Sequence, residues 1–361
     1  MQPKYFKNIL VINLGGIGDL LLSTPALCAL KNNYSQARIT LLVIPRAAEL
    51  ARELSYVDQT YIFKPCFGLD ALWGDLKTLL VLRKKEFDLA INMRTLVSKI
   101  SALKINILLG IINPEVKAGR DTEGRGRFFD IKIPETDKGD KYEMEYDIDT
   151  VRALGAQEFN RNLAFNIDKS DEEKISSILK RESINESDIL IGVNPGGTPS
   201  RRWPVENFSN AIAHISKETR CKFILTGTGN ESSLAKRIIE LLNNDTNIID
   251  VTGQLSIKEL GALIKRCNCF ISNDTGPMHI AAILKTPLVA IFGPGYLSRF
   301  DPRNISERVV LLYKETECAP CNKKTCWSMK CLKAISPDET VKAVLGLLKR
   351  YSLPAGEADI K

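Results

Sequence analysis

The first group in this sequence able to do chemistry is a carboxylate. In "GGIGDLLLSTP", residues 15–25, an apolar run ends in Gly15, Gly16 and Gly18, and Asp19 stands at the head of the helical stretch that follows. A helix N-terminus attracts anions, so an acid there either complements the helix dipole, worth about 0.3–1 kcal/mol, or serves a reaction. The reaction suited to it is general-base removal of a proton from an incoming hydroxyl. The glycine spacing is neither the G-x-G-x-x-G of dinucleotide sites nor a phosphate-binding loop, because no Gly-Lys-Ser/Thr follows. A nicotinamide dehydrogenase is therefore a poor fit.

The second half carries the turns suited to a diphosphate. "NDTGPMH", residues 273–279, sets Asp274, Thr275, Gly276 and His279 where a strand opens into a helix. Backbone N–H groups and the Thr275 hydroxyl would face the phosphates, with Gly276 admitting the ligand close to the backbone. The plainer alternative makes Asp274 or Thr275 a helix cap and His279 a core histidine of the first turn. "NPGGTPSRRWP", residues 194–204, places Arg201 and Arg202 after Gly196, Gly197 and Thr198. A guanidinium suits a diphosphate because its donors are paired and its charge is permanent, although solvated arginines are the competing reading. Glu231 in "TGTGNE" either accepts from ribose hydroxyls or caps a helix.

Three further clusters rank lower. "AGRDTEGRGRFF", residues 118–129, reads as a basic loop in which Arg120, Arg125 and Arg127 are either solvated or turned to an acidic acceptor. "DID" at 147–149 lies in "YEMEYDIDTVRALG", which scans as a helix, so these acids are expected on a solvated helix surface and no metal is expected there. "CAPCNKKTCWSMKC" supplies Cys318, Cys321, Cys326 and Cys331, leaving a structural zinc, free thiols and a disulfide all open.

These groups need a scaffold, and the sequence describes one. At 361 residues the chain exceeds a single core. Short Ile/Val/Leu-rich runs ("KNILVINL", "ITLLVIP", "FDLAINM", "INILLGI") alternate with helical patterns, predicting a parallel sheet covered on both faces. A polar, charged stretch over residues 166–188 marks the junction, and the alternation restarts with "DILIGVNPGG", "CKFILTGTGN", "NIIDVTG", "NCFISNDTG" and "TPLVAIFGP". Two consecutive doubly wound α/β domains follow, residues 1–168 and 169–361. The last helix, "PDETVKAVLGLLKR", could join either. In the second half nearly every strand ends in a Gly- or Ser/Thr/Asp-rich turn, and open parallel sheets bind ligands at that edge.

Hydrophobic residues at 44% and charged residues at 26% describe an ordinary globular protein. The net charge of +7 favours anionic partners without indicating nucleic acid. No run of about 18 apolar residues and no signal-peptide pattern is present, so the expected compartment is the cytoplasm. Cys28, Cys66, Cys221, Cys267 and Cys269, scattered along the chain, suit reduced core thiols.

Taken together, "GGIGDLLLSTPAL", "NPGGTPSRRWP" and "NDTGPMHIAAILKTPLVAIFGP", in that order, resemble glycosyltransferase family 9, the ADP-heptose:lipopolysaccharide heptosyltransferases. The resemblance covers most of the chain and extends to the cysteine cluster. It implies a GT-B fold, two Rossmann-like domains facing across a cleft, with the acceptor in the first and the nucleotide sugar in the second. By resemblance Asp19 is the base, Gly18 beside it lines the acceptor, and attack on the sugar inverts its anomeric carbon. Arg201, where the family often has lysine, neutralises the departing diphosphate with the Thr275 and Gly276 amides and His279. Gly196, Gly197, Thr198, Glu231 and Asp274 line the donor, and Arg120 and Arg125 the acceptor. The resemblance implies no catalytic metal, ADP-heptose as donor, and as acceptor the lipopolysaccharide inner core at the cytoplasmic face of the inner membrane. A monomer, peripheral on that membrane, is expected. Another nucleotide sugar or acceptor, or a non-catalytic nucleotide-binding protein, remains the alternative.

Overall fold

The computed structural model describes residues 5–64, 69–163, 165–243, 248–321 and 323–351. The chain divides into two compact units, Met1–Ala164 and Phe165–Lys361, a division just ahead of the boundary expected after residue 168.

The first unit runs β1 (Asn8–Asn13), α1 (Ile17–Asn33), β2 (Arg38–Val43), α2 (Ala48–Arg52), β3 (Gln59–Ile62), α3 (Leu69–Arg83), β4 (Leu89–Asn92), α4 (Lys99–Ile112), β5 (Val116–Thr122), β6 (Ile131–Glu135) and α5 (Glu143–Ala153). Its six strands lie in the order β3-β2-β1-β4-β5-β6, and all pairings are parallel. Leu10 and Ile12 join the core formed with α3 and α4, while Ile9 and Val11, on the other side of the pleat, are equally buried. This is why β1 reads as an unbroken apolar run: both faces of the sheet are covered. Within α1, Pro25 has no N–H for the Leu21 carbonyl, and the Thr24 hydroxyl donates to that oxygen instead at 2.7 Å.

One strand expected from the sequence is absent from this unit. "INILLGI" is not a strand but the second half of α4, short of its last residue. Ser98 caps the helix, accepting from the Ser101 N–H at 3.1 Å, and Asn113, left-handed at φ 58°, ends it. Ala102, Leu108, Leu109 and Ile112 are buried at helical spacing, and the longer 3.6-residue period outweighs the short β-like run inside it. Strands β3, β5 and β6 have no counterpart in the sequence reading.

The second unit runs α6 (Lys169–Arg181), β7 (Leu190–Asn194), α7 (Val205–Glu218), β8 (Lys222–Leu225), α8 (Ser232–Leu241), β9 (Ile248–Asp250), α9 (Ile257–Arg266), β10 (Cys269–Asn273), α10 (Gly276–Ile283), β11 (Leu288–Phe292), α11 (Leu297–Phe300), β12 (Val309–Tyr313), α12 (Lys330–Lys333) and α13 (Pro337–Tyr351). The order β12-β11-β10-β7-β8-β9, again all parallel, repeats the plan of the first sheet. The final helix, α13, packs on α7 and on β10, β11 and β12 of its own unit and buries Val344, Leu347 and Leu348. Trp203 is buried in the same core, its indole N–H donating to the Ile335 carbonyl at 3.1 Å.

In each sheet the strand order reverses once, between β1 and β4 and between β7 and β10. Doubly wound sheets bind ligands beyond the carboxyl ends of their strands at that crevice, and the site residues cluster there.

Candidate functional site

Asp19 lies at the third position of α1, beyond the carboxyl end of β1. One carboxylate oxygen, Oδ2, accepts the Gly16 N–H at 2.6 Å, and the other, Oδ1, meets the Arg94 Nη1 at 2.6 Å. Asp19 thus fastens the turn ahead of α1 at the helix end whose dipole it complements, and it stays partly open, with 19% of its side chain exposed. The glycine before it is required by contact: a Cβ on Gly15 would fall 2.5 Å from the Asp19 Cβ. Gly18, one residue before, is half-buried at the second position of the helix.

Arg94, two residues beyond β4, went unnoticed in the sequence. It bridges Asp19 to Glu143 of α5, which it reaches at 3.1 Å. Burial works against its charge, but Asp19 and then Glu143 more than offset this and hold it above the ordinary arginine value. Arg46, just after β2, brings a second guanidinium to within 3.6 Å of where a Cβ on Gly16 would stand. Both arginines follow strand ends, so applying the carboxyl-edge rule to the first half of the chain as well as the second would have found them.

Beneath Arg94 the structure overturns the reading of residues 118–129 as a basic loop. Arg120 belongs to β5, is wholly buried, and pairs with Glu135, Glu143 and Asp147. Three acids from β6 and α5 enclose it, so it cannot face an acceptor. Arg125 is engaged as well, donating to the Leu96 carbonyl and pairing with Asp137. Of the three arginines only Arg127 is exposed. Residues 147–149 are helical as expected, but Asp147 is buried rather than solvated. It accepts from the Ser23 hydroxyl at 2.6 Å, and that hydroxyl also lies 2.9 Å from the Asp19 carbonyl. Burial pushes the Asp147 carboxyl up to about 6, against the opposing pull of Arg120. A charge network thus runs from Asp147 through Arg120, Glu143 and Arg94 to Asp19, fixing the carboxylate from behind.

The second unit builds its own edge cluster at the β7/β10 reversal. The Asn194 carboxamide accepts the Gly196 N–H at 3.0 Å, and the Asn273 carboxamide donates to the Pro195 and Gly196 carbonyls at 3.0 and 3.1 Å. Those bonds fasten "NPGG" to the end of β10. Gly197, at φ +120°, occupies backbone space that L side chains rarely adopt, and a Cβ there would stand 2.3 Å from the Thr275 methyl. Thr198 precedes the short turn that carries Arg201.

Arg201 pairs with Asp274 at 2.8 Å, Asp274 being buried and Arg201 partly exposed. Arg202 donates to the Gly197 carbonyl at 2.7 Å and reaches Glu231 at 3.6 Å. Glu231 accepts from the Thr228 N–H at 2.9 Å and from the Gly197 N–H at 2.5 Å. It therefore caps its own turn and ties it to the glycine turn. Thr275 is the N-cap of α10 and Gly276 its first residue, while His279, buried in that helix, packs edge-on against Phe300. Every donor-side residue expected from sequence is thus gathered at one sheet edge, with two guanidinium groups partly open to solvent.

The cysteines divide as their surroundings dictate. Burial pushes the Cys221 and Cys267 thiols up to about 12, as inert core thiols require. Cys66 lies outside the described residues. Among the described residues, no three Cys, His, Asp or Glu side chains gather as ligands for a metal ion, and no helix is long and apolar enough to cross a membrane.

Comparison with known proteins supplies the rest. Residues 77–332 match the family described as glycosyltransferase family 9 (heptosyltransferase). A lipooligosaccharide heptosyltransferase 2 of Campylobacter jejuni is 31% identical over 170 residues, 45% of this chain and 52% of that protein. Its namesake from another serotype of the species is 25% identical over 346 residues, 94% of this chain and 97% of its own length. In three dimensions the chain is similar to the ADP-heptose lipopolysaccharide heptosyltransferase II of Escherichia coli, with a TM-score of 0.71 at 19% identity over 95% of this chain and 99% of that one. At that identity the likeness shows the fold: two parallel six-stranded sheets with flanking helices, the GT-B architecture.

Proposed function

The chain belongs to glycosyltransferase family 9, and from that premise we propose that it is an inverting, metal-independent heptosyltransferase of lipopolysaccharide core biosynthesis that uses ADP-heptose and a phosphorylated, carboxylated inner-core glycolipid. The observation that carries the reading is the Asp19 carboxylate, held by Gly16 and Arg94 at the strand-order reversal of the first sheet yet still open to solvent. In the proposed reaction the acceptor hydroxyl gives its proton to Asp19 as its oxygen bonds to the anomeric carbon of the sugar. The bond from that carbon to the β-phosphate oxygen breaks, and ADP leaves with the electron pair. Attack from the opposite face inverts the centre. Arg94, fixed by Glu143, is a positioning residue that sets the direction of the carboxylate. Arg46 and Arg94 together offer positive charge to an anionic acceptor.

On the donor side Arg201 meets the charge that develops on the diphosphate, with the Thr275 and Gly276 amides at the head of α10. A guanidinium in that place does the work of a divalent cation. Calorimetric titration with nucleoside diphosphates tests this half. ADP should bind in preference to UDP, GDP and CDP and equally well with magnesium or with chelator. In Arg201→Ala the loss of a charge-assisted hydrogen bond, about 1.5–3 kcal/mol, should weaken ADP binding by about 10- to 100-fold. Unchanged affinity in the variant would remove Arg201 from the site, and preference for another base would overturn the donor.

A further inference from the structure

We propose that the outer face of α4, with the end of α3, is a docking surface for an anionic lipid bilayer. Val97, Ile100, Leu103 and Ile107 are 62, 67, 57 and 53% exposed. At about 100° per residue the last three form one stripe along α4. Leu80 and Val81 of α3 are exposed as well, and α3 packs beside α4, the Arg83 guanidinium donating to the Ile111 carbonyl at 3.0 Å. An apolar patch of this kind on a globular protein marks a partner.

The charges say which partner. Lys99 and Lys104 fall on opposite sides of the stripe, both exposed, and residues 97–113 contain no acid. The last turns of α3 and the two residues beyond it carry Lys77, Arg83, Lys84 and Lys85, with no acid between Asp75 and Glu86. An apolar stripe between basic flanks is the pattern of a helix lying in the plane of a bilayer, its side chains among the acyl groups and its lysines at the phosphates. At 14 residues α4 is about 21 Å long, too short to span and sufficient to lie flat. A second copy of the chain is a worse occupant, because its lysines would meet these. The proposal deepens the functional reading above, since an acceptor anchored in a membrane must be met at its surface.

The test is flotation of the full chain with phosphatidylcholine vesicles and with vesicles of equal parts phosphatidylcholine and phosphatidylglycerol, at low and high salt. The protein should float with the anionic vesicles only, and less at high salt. Lys99→Gln with Lys104→Gln should lower partitioning by about 25-fold, at roughly five-fold for each basic side chain. Ile100→Ser with Leu103→Ser and Ile107→Ser should lower it by at least about 100-fold. Both variants should retain wild-type ADP affinity and transfer to a water-soluble acceptor fragment. Equal partitioning to both vesicle types, or wild-type flotation by the triple serine variant, would overturn the proposal. So would light scattering that shows a wild-type dimer which the serine variant dissolves. Loss of ADP binding with flotation intact would instead count against the functional reading alone.

Discussion

Replacing Asp19 with Asn should lower turnover by about 10²- to 10⁴-fold while leaving ADP affinity within two-fold of wild type, because general-base catalysis contributes on that order. The substitution is nearly isosteric. The Asn carbonyl can still accept the Gly16 N–H, and Arg94 keeps its bond to Glu143 at 3.1 Å, so the fold and the turn should survive. The loss should fall on kcat, since the proton is taken only as the transition state forms. Steady-state kinetics with calorimetry on the same preparation separates the outcomes. A variant that transfers as fast as wild type would show that Asp19 serves only as the cap of α1.

Arg120→Met should cost about 3–5 kcal/mol of stability at neutral pH, the range for removing one partner from a buried ion network. Methionine fills much of the volume but leaves Glu135, Glu143 and Asp147 enclosed without their shared cation. The effect should depend on pH with a definite sign. Burial already pushes the Asp147 carboxyl up to about 6 with Arg120 present, and loss of the guanidinium raises it further. The folded variant then holds protons that the unfolded chain has released, so its stability falls as pH rises. Its deficit relative to wild type should be smaller near pH 5 than near pH 8, growing by about 1.4 kcal/mol for each unit by which the Asp147 pKa rises. Denaturant melts across that range check both points. A deficit that stays flat with pH would mean that the acids do not sense Arg120.

The contrast between these two residues shows what a sequence discloses. Asp19 was legible because its surroundings are local: the glycine turn, the acid and the helix all lie within residues 15–25. The same holds for the turn that carries Arg201 and for Thr275 and Gly276 at the head of α10, each a strand end in its own segment. Arg120 was misread because its partners come from β6 and α5, and nothing beside it in "AGRDTEG" announces three distant carboxylates. Arg94 was missed for the same reason, since its meaning lies in the pairing with Asp19 and Glu143 across the sheet. Among the elements, strands that are apolar runs, such as β1 and β11, declared themselves, whereas β5, "VKAGRDT", carries an interior charge that only the folded network compensates. The run "INILLGI" was read over too short a window, and its helical period emerges only when Ser98 and Asn113 are taken as its limits.

The most direct test of the central claim is a transfer assay with the purified chain, ADP-heptose and an inner-core acceptor, run in chelator and read by mass spectrometry with NMR of the new anomeric centre. The account predicts an acceptor heavier by one heptosyl residue, stoichiometric ADP, and a linkage inverted relative to the donor, all without divalent metal. Absence of transfer despite ADP binding, or a product that retains the donor's anomeric configuration, would contradict it.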